Sequence, residues 1–184
     1  MQRAVFLDRD GVINQNRDDY VKSWDEVEFL PGVFKALKEL AGANFLIFVL
    51  TNQSAVGRGL LSLSTLDTIH QRMKSTIEGH AGRIDGFYYC PHLPEEKCTC
   101  RKPAPGLLLK AAAEHDLDLE ESYFIGDARS DMVAAAAAGC QPILVKSGRG
   151  AAQLATIEEQ LRSACKITDD LAKAVQYIVT RNLT

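Results

Sequence analysis

Short apolar runs alternate along the chain with longer stretches of helical periodicity. The apolar runs predict five strands, at residues 4–7, 45–50, 86–89, 123–125 and 142–145. The other stretches predict five helices, at residues 33–40, 64–78, 106–114, 131–138 and 169–179. Apolar strands separated by helices are typical of a parallel sheet joined by right-handed crossovers. We therefore predict an α/β fold in which one parallel sheet lies between helices, in a single domain over residues 1–184, with the last helix packed across an edge of the sheet.

A polar segment interrupts this alternation between the first strand and the first helix. Residues 14–30 are mostly polar and contain Tyr20 and Trp24. We expect this segment to form a flap or hairpin over the carboxyl ends of the strands. The other gaps between predicted elements are too short for a large inserted domain.

Composition places the chain among ordinary globular proteins. It has 184 residues, of which 46% are hydrophobic and 24% charged, and its net charge is −3. The chain lacks the excess of basic residues that is typical of a nucleic-acid-binding protein. Met1-Gln2-Arg3 leads directly into a strand, unlike a signal peptide, and no apolar run reaches the length of a membrane span. We therefore expect a cytoplasmic monomer with neither a nucleic-acid nor a membrane partner.

Two carboxylates stand directly after the first predicted strand. Side chains alternate along a strand, so Asp8 and Asp10 are expected to point the same way while Arg9 points away. Gly11 then allows a sharp turn. Ligands bind beyond the carboxyl ends of parallel strands, and adjacent carboxylates there favour a metal-dependent catalytic site, with one as nucleophile or ligand and the other for proton transfer. The alternatives are a capped turn and a calcium loop, although the twelfth position of such a loop would be Asp19 rather than Glu.

Polar residues also follow the second and fourth predicted strands. The hydroxyl of Thr51, after the second strand, is suited to binding a phosphoryl oxygen or to capping a helix. Asp127 follows the fourth strand, and Asp131 lies at the start of the next helix, where capping is the favoured role. Several carboxylates at one sheet edge need a divalent ion, and an oxygen-rich site with few protein ligands suits Mg²⁺. We predict a magnesium site at this edge.

Two basic residues precede the helix predicted at residues 106–114. Adjacent basic residues are ordinarily solvated surface. At this edge of the sheet, however, Lys102 would supply a point charge to a transferring phosphoryl group, and Arg101 a fork for a second phosphate or another oxygen-rich group.

Cysteine and histidine residues cluster just before this basic pair. Cys90, His92, Cys98 and Cys100 lie within eleven residues. Three thiols and one imidazole form a closed tetrahedral zinc set, without an open position for catalysis. A reduced surface loop and a redox pair are the alternatives, but a redox pair would leave His92 and one cysteine without a role. We predict a structural zinc loop over residues 90–100 that stiffens the basic pair after it.

The order of these motifs resembles the haloacid dehalogenase (HAD) superfamily of phosphohydrolases. The motifs are Asp-x-Asp-Gly, Thr-Asn, Lys and Gly-Asp-x-x-x-Asp, each at the expected end of a strand or helix. The resemblance implies a Rossmann-like fold without a large cap domain. It implies that Asp8 forms an aspartyl-phosphate and that Asp10 protonates the leaving oxygen and then activates water. The phosphoryl oxygens would be held by Thr51 and Lys102, and Mg²⁺ by Asp8, the backbone carbonyl of Asp10, and Asp127.

The zinc loop and the Cys-x-Cys-Arg-Lys-Pro sequence resemble one branch of that superfamily, which contains heptose 1,7-bisphosphate 7-phosphatases and histidinol-phosphate phosphatases. Similarity to the heptose enzymes implies removal of the 7-phosphate from D-glycero-D-manno-heptose 1,7-bisphosphate, for nucleotide-activated heptose and lipopolysaccharide synthesis. It also implies a set of substrate-binding residues, which are Gly11, Arg17, Asp18, Asp19, Tyr20, Asn52, Gln53, Ser54, Arg58 and Arg101.

Some features leave other functions open. The stretch between His92 and Cys98 is short, as in histidinol-phosphate phosphatases, and Ala128 stands where some heptose enzymes have Lys. A bisphosphate needs extra cations, which Arg58, Arg101 and Arg129 would supply. The alternatives are a histidinol-phosphate phosphatase, a non-catalytic zinc-stabilised interaction module, and a mutase or phosphotransferase. The last would need a cap that excludes water.

Overall fold

A computed structural model describes residues 1–182 of the chain. Six strands form one sheet in the order β3-β2-β1-β4-β5-β6, and the pairings between them are parallel. Strand β1 lies between β2 and β4, so the carboxyl ends of these three strands meet near the middle of one sheet edge. The strands are β1 (Ala4–Leu7), β2 (Leu46–Asn52), β3 (Gly86–Cys90), β4 (Tyr123–Gly126), β5 (Gln141–Val145) and β6 (Lys166–Thr168).

Helices cover both faces of the sheet. On one face, α1, α3 and α8 pack through an apolar cluster that includes Val5 and Leu7, and on the other α4 and α5 pack through a cluster that includes Ala4 and Phe6. Strand β1 is buried on both sides, which is why its sequence is continuously apolar. The helices are α1 (Val33–Ala41), α2 (Ser54–Gly57), α3 (Leu63–Gly79), α4 (Gly106–His115), α5 (Arg129–Ala137), α6 (Gly150–Gln153), α7 (Glu159–Ala164) and α8 (Leu171–Arg181). Within residues 1–182, no helix is long and apolar enough to cross a membrane.

The five predicted strands and five predicted helices are confirmed, with ends that differ by at most two residues. Strand β2 runs two residues further than predicted, because Thr51 and Asn52 still pair with β3. The placement of the last helix is wrong: α8 lies on the face of the sheet beside α1, where Leu171 and Val175 join the same apolar cluster, and not across an edge. Strand β6 and helices α2, α6 and α7 were not predicted, since three to six residues are too few to show a period.

The predicted flap leaves the sheet after β1 and returns before α1. An antiparallel bridge between Asn14 and Phe29 closes its base, and a 3₁₀ helix at Trp24–Glu26 lies on its return path. Near its tip, Val21 is buried in a small apolar cluster with residues of α2 and α3. The segment is therefore hairpin-like and is held against the sheet edge.

Candidate active site

A cavity of about 320 Å³ lies at the carboxyl ends of the central strands, beneath the flap. Most of the side chains around it are polar or charged. They belong to the loops after β1, β2, β4 and β5, to the flap, and to the segment before α4. The parallel sheet therefore brings parts of the chain that are far apart in sequence to one place.

Lys102 is a buried cation of this site. Its Nζ atom lies 3.0 Å from Oδ1 of Asp8 and 2.7 Å from Oδ1 of Asp131, and it donates to the Leu50 carbonyl oxygen at 2.9 Å. The ammonium group therefore has one hydrogen bond and two ion pairs. Although burial by itself lowers the pKa of Lys102, the carboxylates of Asp131 and Asp8 outweigh it and raise the pKa well above its usual value. The group stays charged.

Asp8 is placed by the sheet itself. Its backbone N–H donates to the Ile125 carbonyl oxygen at 2.9 Å, so the residue continues the pairing of β1 with β4. Burial raises the pKa of its carboxyl group, Lys102 lowers it, and the nearby carboxylates of Asp131 and Asp127 raise it further. One oxygen each from Asp8, Asp127 and Asp131 lie within 4.8 Å of one another. We call these three residues and Lys102 the carboxylate centre.

Asp127 is enclosed by two glycines. A Cβ atom at Gly11 would stand 2.0 Å from Oδ2 of Asp127, and one at Gly148 would stand 2.4 Å from the same atom. Both glycines have positive φ angles, of 91° and 58°. The backbone N–H of Arg149 donates to this oxygen at 2.8 Å. Burial raises the pKa of Asp127 to about 6, against the effect of that hydrogen bond. Because Gly11 has no side chain, it leaves the space that the carboxylate of Asp127 occupies.

Asp131 has the capping role that the sequence favoured. Its Oδ2 atom accepts a hydrogen bond from the Ala128 N–H at 3.1 Å, at the start of α5. Its other oxygen faces Lys102. The residue therefore joins the helix terminus to the buried cation.

Asp10 has a separate environment. Nη2 of Arg9 donates to both of its carboxylate oxygens, at 3.1 and 3.0 Å, and the amide groups of Asn14 and Gln53 donate at 2.9 and 3.0 Å. Burial raises the pKa of Asp10, but the charge of Arg9 and these hydrogen bonds outweigh it and lower the pKa. The expectation that Arg9 points away is wrong with respect to Asp10. The guanidinium folds back because the buried charge needs a partner.

The last residues of β2 and the residue after it hold the site together through side-chain amides. Nε2 of Gln53 also donates to the Thr51 hydroxyl oxygen at 2.8 Å, which leaves the hydroxyl hydrogen of Thr51 free for a ligand. Asn52 exchanges two hydrogen bonds with the backbone of Lys102, at 3.0 and 3.1 Å. The predicted substrate contacts of Asn52 and Gln53 stay predictions, and both amides have protein partners here.

The flap brings an aromatic hydroxyl to the rim of the cavity. Tyr20 has a φ of 67°, and its hydroxyl hydrogen-bonds Ser54 and accepts from Nε of Arg58 at 3.0 Å, contacts that lower the pKa of Tyr20. Arg17 and Asp18 also line the cavity, whereas Asp19 is exposed and pairs with Arg17 and Lys22. Arg58 reaches the site only through Tyr20.

The four predicted zinc ligands converge. Sγ of Cys100 lies 3.2 Å from Sγ of Cys90, 3.4 Å from Sγ of Cys98 and 3.2 Å from Nδ1 of His92. A disulfide would need about 2.05 Å, whereas the edge of a tetrahedron built on a Zn–S bond of about 2.3 Å is about 3.8 Å. All five cysteines are free. We call these four ligands the cysteine cluster.

The cysteine cluster is joined to the cavity by its neighbours in sequence. Nη1 of Arg101 donates to the His92 carbonyl oxygen at 3.2 Å. The N–H of Gly57 donates to the Pro91 carbonyl oxygen, and a Cβ atom at Gly57 would stand 2.7 Å from that oxygen. The loop therefore packs directly on the residues after β2, and it places Arg101 at the cavity wall.

Comparison with known proteins agrees with this geometry. A family model described as HAD-hydrolase-like matches residues 99–174. The D-glycero-beta-D-manno-heptose-1,7-bisphosphate 7-phosphatase of Pseudomonas putida is 39% identical to this chain over 177 residues, which cover 96% of this chain and 99% of that protein. The chain belongs to the heptose-1,7-bisphosphate 7-phosphatase family. The match to it covers both the carboxylate centre and the cysteine cluster.

Solved structures of this phosphatase family have the same architecture. That of D,D-heptose 1,7-bisphosphate phosphatase from Bordetella bronchiseptica, complexed with magnesium and phosphate, is 38% identical and has a TM-score of 0.91, covering 97% of this chain and 99% of that one. The enzyme from Burkholderia thailandensis is 31% identical, with a TM-score of 0.74 and the same coverage. The expected HAD superfamily and Rossmann-like fold are confirmed.

Sequence reasoning missed several residues of the site. Arg149 lines the cavity, and it follows β5, so the same rule that pointed to Asp127 would have found it. Asn16 and Ser130 also line the cavity and carry no such signal. Arg129, expected to help hold a second phosphate, pairs instead with Glu158 and does not line the cavity, because it is the first residue of α5 and points away from the sheet edge.

Proposed function

We propose that this protein removes the 7-phosphate from D-glycero-D-manno-heptose 1,7-bisphosphate through an aspartyl-phosphate. The observation that carries the proposal is the placement of Asp8 beside a buried ammonium group and a second carboxylate, at the sheet edge where parallel sheets bind ligands. The names of the relatives specify the β anomer, so this anomer is the first substrate to test.

In the first chemical step, Asp8 is the nucleophile. One of its oxygens bonds to phosphorus as the bond from phosphorus to the sugar oxygen breaks, and Asp10 gives its proton to the leaving oxygen. Lys102 holds its charge beside the transferring group, and Thr51 donates its free hydroxyl hydrogen to a phosphoryl oxygen. Phosphoryl transfer needs this positioning and charge neutralisation more than it needs reactive groups.

In the second step, water attacks the aspartyl-phosphate. Asp10 takes a proton from that water, the bond between phosphorus and the Asp8 oxygen breaks, and inorganic phosphate leaves. The lowered pKa of Asp10 favours the carboxylate that this step requires. For the first step, the negative phosphoryl group of the substrate raises the pKa of Asp10 by like-charge repulsion, which favours its protonation.

The donor sets fit the two expected metal ions. Asp8, Asp127 and Asp131 bring three buried carboxyl groups to one place against the single charge of Lys102. That excess of oxygen and negative charge suits Mg²⁺, which Asp8, Asp127 and the backbone carbonyl of Asp10 would hold. The ion would neutralise phosphoryl oxygens during transfer. Cys90, His92, Cys98 and Cys100 would hold Zn²⁺ in a closed structural site.

Cations at the rim support a second phosphate on the substrate. Arg101 and Arg149 line the cavity, and Arg17 lies on the flap opposite them. Arg58 is joined to the same wall through Tyr20. Guanidinium groups suit bidentate binding of the phosphate that is not cleaved. We place the 1-phosphate among these side chains and the sugar against the flap.

The wider context follows from this substrate. We place the protein in nucleotide-activated heptose synthesis for surface glycans such as lipopolysaccharide, in the cytoplasm, acting as a monomer and as one catalytic domain over residues 1–184. The products are a sugar 1-phosphate and inorganic phosphate.

The test is phosphate release with Mg²⁺ from both anomers of heptose 1,7-bisphosphate, from histidinol phosphate and from simple monophosphates. We expect strong preference for the β-heptose bisphosphate and its loss in Asp8→Asn, which removes the nucleophile without changing its size. Preference for histidinol phosphate would keep the chemistry and refute the substrate. Release that Asp8→Asn leaves unchanged, or no release at all, would favour a non-catalytic module.

A further inference from the structure

Arg9 is a buried cation that the chemistry above leaves without a role. Its side chain is 1% exposed. Its Nη2 atom contacts both oxygens of Asp10, and its Nη1 atom lies 3.4 Å from Nε2 of His70. Burying a guanidinium group is costly unless its donors are paired. The pairing therefore joins the residue between the two catalytic aspartates to helix α3.

His70 is placed as the acceptor for this guanidinium. It is 4% exposed, and its ring stacks on Phe87 of β3 with centroids 4.5 Å apart and planes 11° apart. Burial and the charge of Arg9 lower the pKa of His70 to about 3, while Asp10 opposes them. The ring is therefore neutral, so its Nε2 lone pair is able to accept from Arg9. Stacking on Phe87 holds the plane of the ring.

The carboxylate of Asp10 is therefore held in one orientation by hydrogen bonds to both of its oxygens. Each oxygen of Asp10 accepts from Arg9 and from one amide, Asn14 on one side and Gln53 on the other. When Asp10 carries the reacting proton, one of these contacts must give way. Gln53 is suited to do so, because its amide also reaches Thr51. The hydrogen bonds from Arg9 then keep the orientation of the Asp10 carboxyl plane unchanged.

We propose that Arg9 and His70 are positioning residues that hold Asp10 in the orientation needed for its two proton transfers, a role that rests on the function proposed above. His70 acts through Arg9, and Arg9 acts through Asp10. Neither donates a proton to the substrate. Proton transfer requires hydrogen-bond reach and alignment, so a carboxyl group free to rotate transfers its proton less often in the correct geometry.

The test compares two leaving groups. The sugar oxygen of heptose 1,7-bisphosphate leaves as a strongly basic alkoxide unless it is protonated, whereas the nitrophenolate of p-nitrophenyl phosphate leaves without a proton. The ratio kcat/KM covers the steps up to departure of the leaving group, and so it does not include the hydrolysis of the aspartyl-phosphate. Misplacing Asp10 therefore lowers kcat/KM for the sugar selectively.

The matched variants are His70→Phe and His70→Gln. The first keeps an aromatic ring to stack on Phe87 and loses the acceptor; the second keeps an acceptor. We expect His70→Phe to lower kcat/KM for the sugar by about 10- to 100-fold, part of the usual contribution of general acid catalysis, and to change it less than about threefold for p-nitrophenyl phosphate. His70→Gln should stay within about threefold of the wild-type value on both substrates.

A second variant, Arg9→Met, tests the same step at the residue that touches Asp10. It should show the same selective loss, at least as large as that of His70→Phe. Equal losses on both substrates, in variants whose circular dichroism and melting temperature match the wild type, would show a merely structural role and overturn the proposal. Undiminished sugar turnover in both variants would also overturn it. Wild-type protein that cleaves neither substrate would instead refute the proposed function.

Discussion

The carboxylate centre and the cysteine cluster lie next to each other in space, yet the chain builds them in opposite ways. The residues of the carboxylate centre come from positions 8, 102, 127 and 131, on the loops after β1 and β4, on the segment before α4 and in the first turn of α5. The cysteine cluster takes its four residues from eleven consecutive positions that begin at Cys90, the last residue of β3. The first depends on strand order, and the second on local spacing.

The two centres are also held together by different interactions. The carboxylate centre is buried, and its repulsion is partly compensated by Lys102, so it needs the sheet to keep its members together. The cysteine cluster is only partly buried, and the surrounding loop has little core of its own. Its stability would come from the metal. We therefore expect the carboxylate centre to be sensitive to changes of charge and the cysteine cluster to be sensitive to metal content.

Lys102→Met should have the largest effect, and it acts on the carboxylate centre. It leaves Asp8 and Asp131 buried without their cation, and breaking a buried ion pair costs roughly 3–5 kcal/mol. Phosphate release should fall by about 100- to 1,000-fold, because charge beside the transferring phosphoryl group is lost. Urea unfolding without added metal ions and phosphate release with saturating Mg²⁺ measure the two effects.

The matched control for this change is Lys97→Met. Lys97 is exposed in the same segment, so the control removes the same group without touching a buried carboxylate. It should leave both measurements near the wild-type values. If the two variants were equally stable, Lys102 would not be the counter-ion of the buried carboxylates.

Cys98→Ser should have an intermediate effect, and it acts on the cysteine cluster. Loss of one thiolate opens the closed zinc set, so zinc should fall well below one ion per chain by elemental analysis. Activity should fall by about 10- to 100-fold, since small displacements of positioning groups have effects of that size. Cys165→Ser, which changes a cysteine outside the cluster, is the control. Metal-replete wild-type protein that contains no zinc would refute the zinc site.

Arg101→Ala should have the smallest effect, and it acts on the link between the two centres. It removes the hydrogen bond to the His92 carbonyl oxygen and one cation of the cavity wall. We expect KM for the bisphosphate to rise about tenfold, which is about 1.4 kcal/mol, with unchanged zinc content. Arg129→Ala is the matched control, because Arg129 pairs with Glu158 away from the cavity. An equal rise in KM for both variants would refute a specific phosphate contact by Arg101.

The motifs that follow strands were predictable because parallel sheets bind ligands at the edge where the carboxyl ends of the strands lie. Asp8, Thr51 and Asp127 each follow a run of buried apolar residues, and the sheet brings the three together. The cysteine cluster was also predictable, because its four residues lie close together in the sequence. Strand β6 was not, because three residues at an edge carry no periodicity. The sequence also did not indicate that α8 packs beside α1, because periodicity identifies the apolar face of a helix and not the element that covers it.

Other features depended on contacts between distant positions. No pattern in the sequence pairs Arg9 with His70, which lies 61 residues away on α3. The opposite pKa shifts of Asp8 and Asp10 also come from tertiary neighbours, since Asp8 faces burial and carboxylates while Asp10 faces a guanidinium group and two amides.

From the sequence alone we could predict the alternation of strands and helices, the chemical groups available at the sheet edge, and the four residues of the cysteine cluster. These follow from local periodicity and spacing, which adjacent residues carry. Tertiary contacts were needed to show which charges face each other, which carboxylate is held as an anion, and where Arg101, Arg129 and Arg149 point. The physical reason is that burial and Coulomb interactions depend on distance in space, and the fold brings together groups that are far apart along the chain.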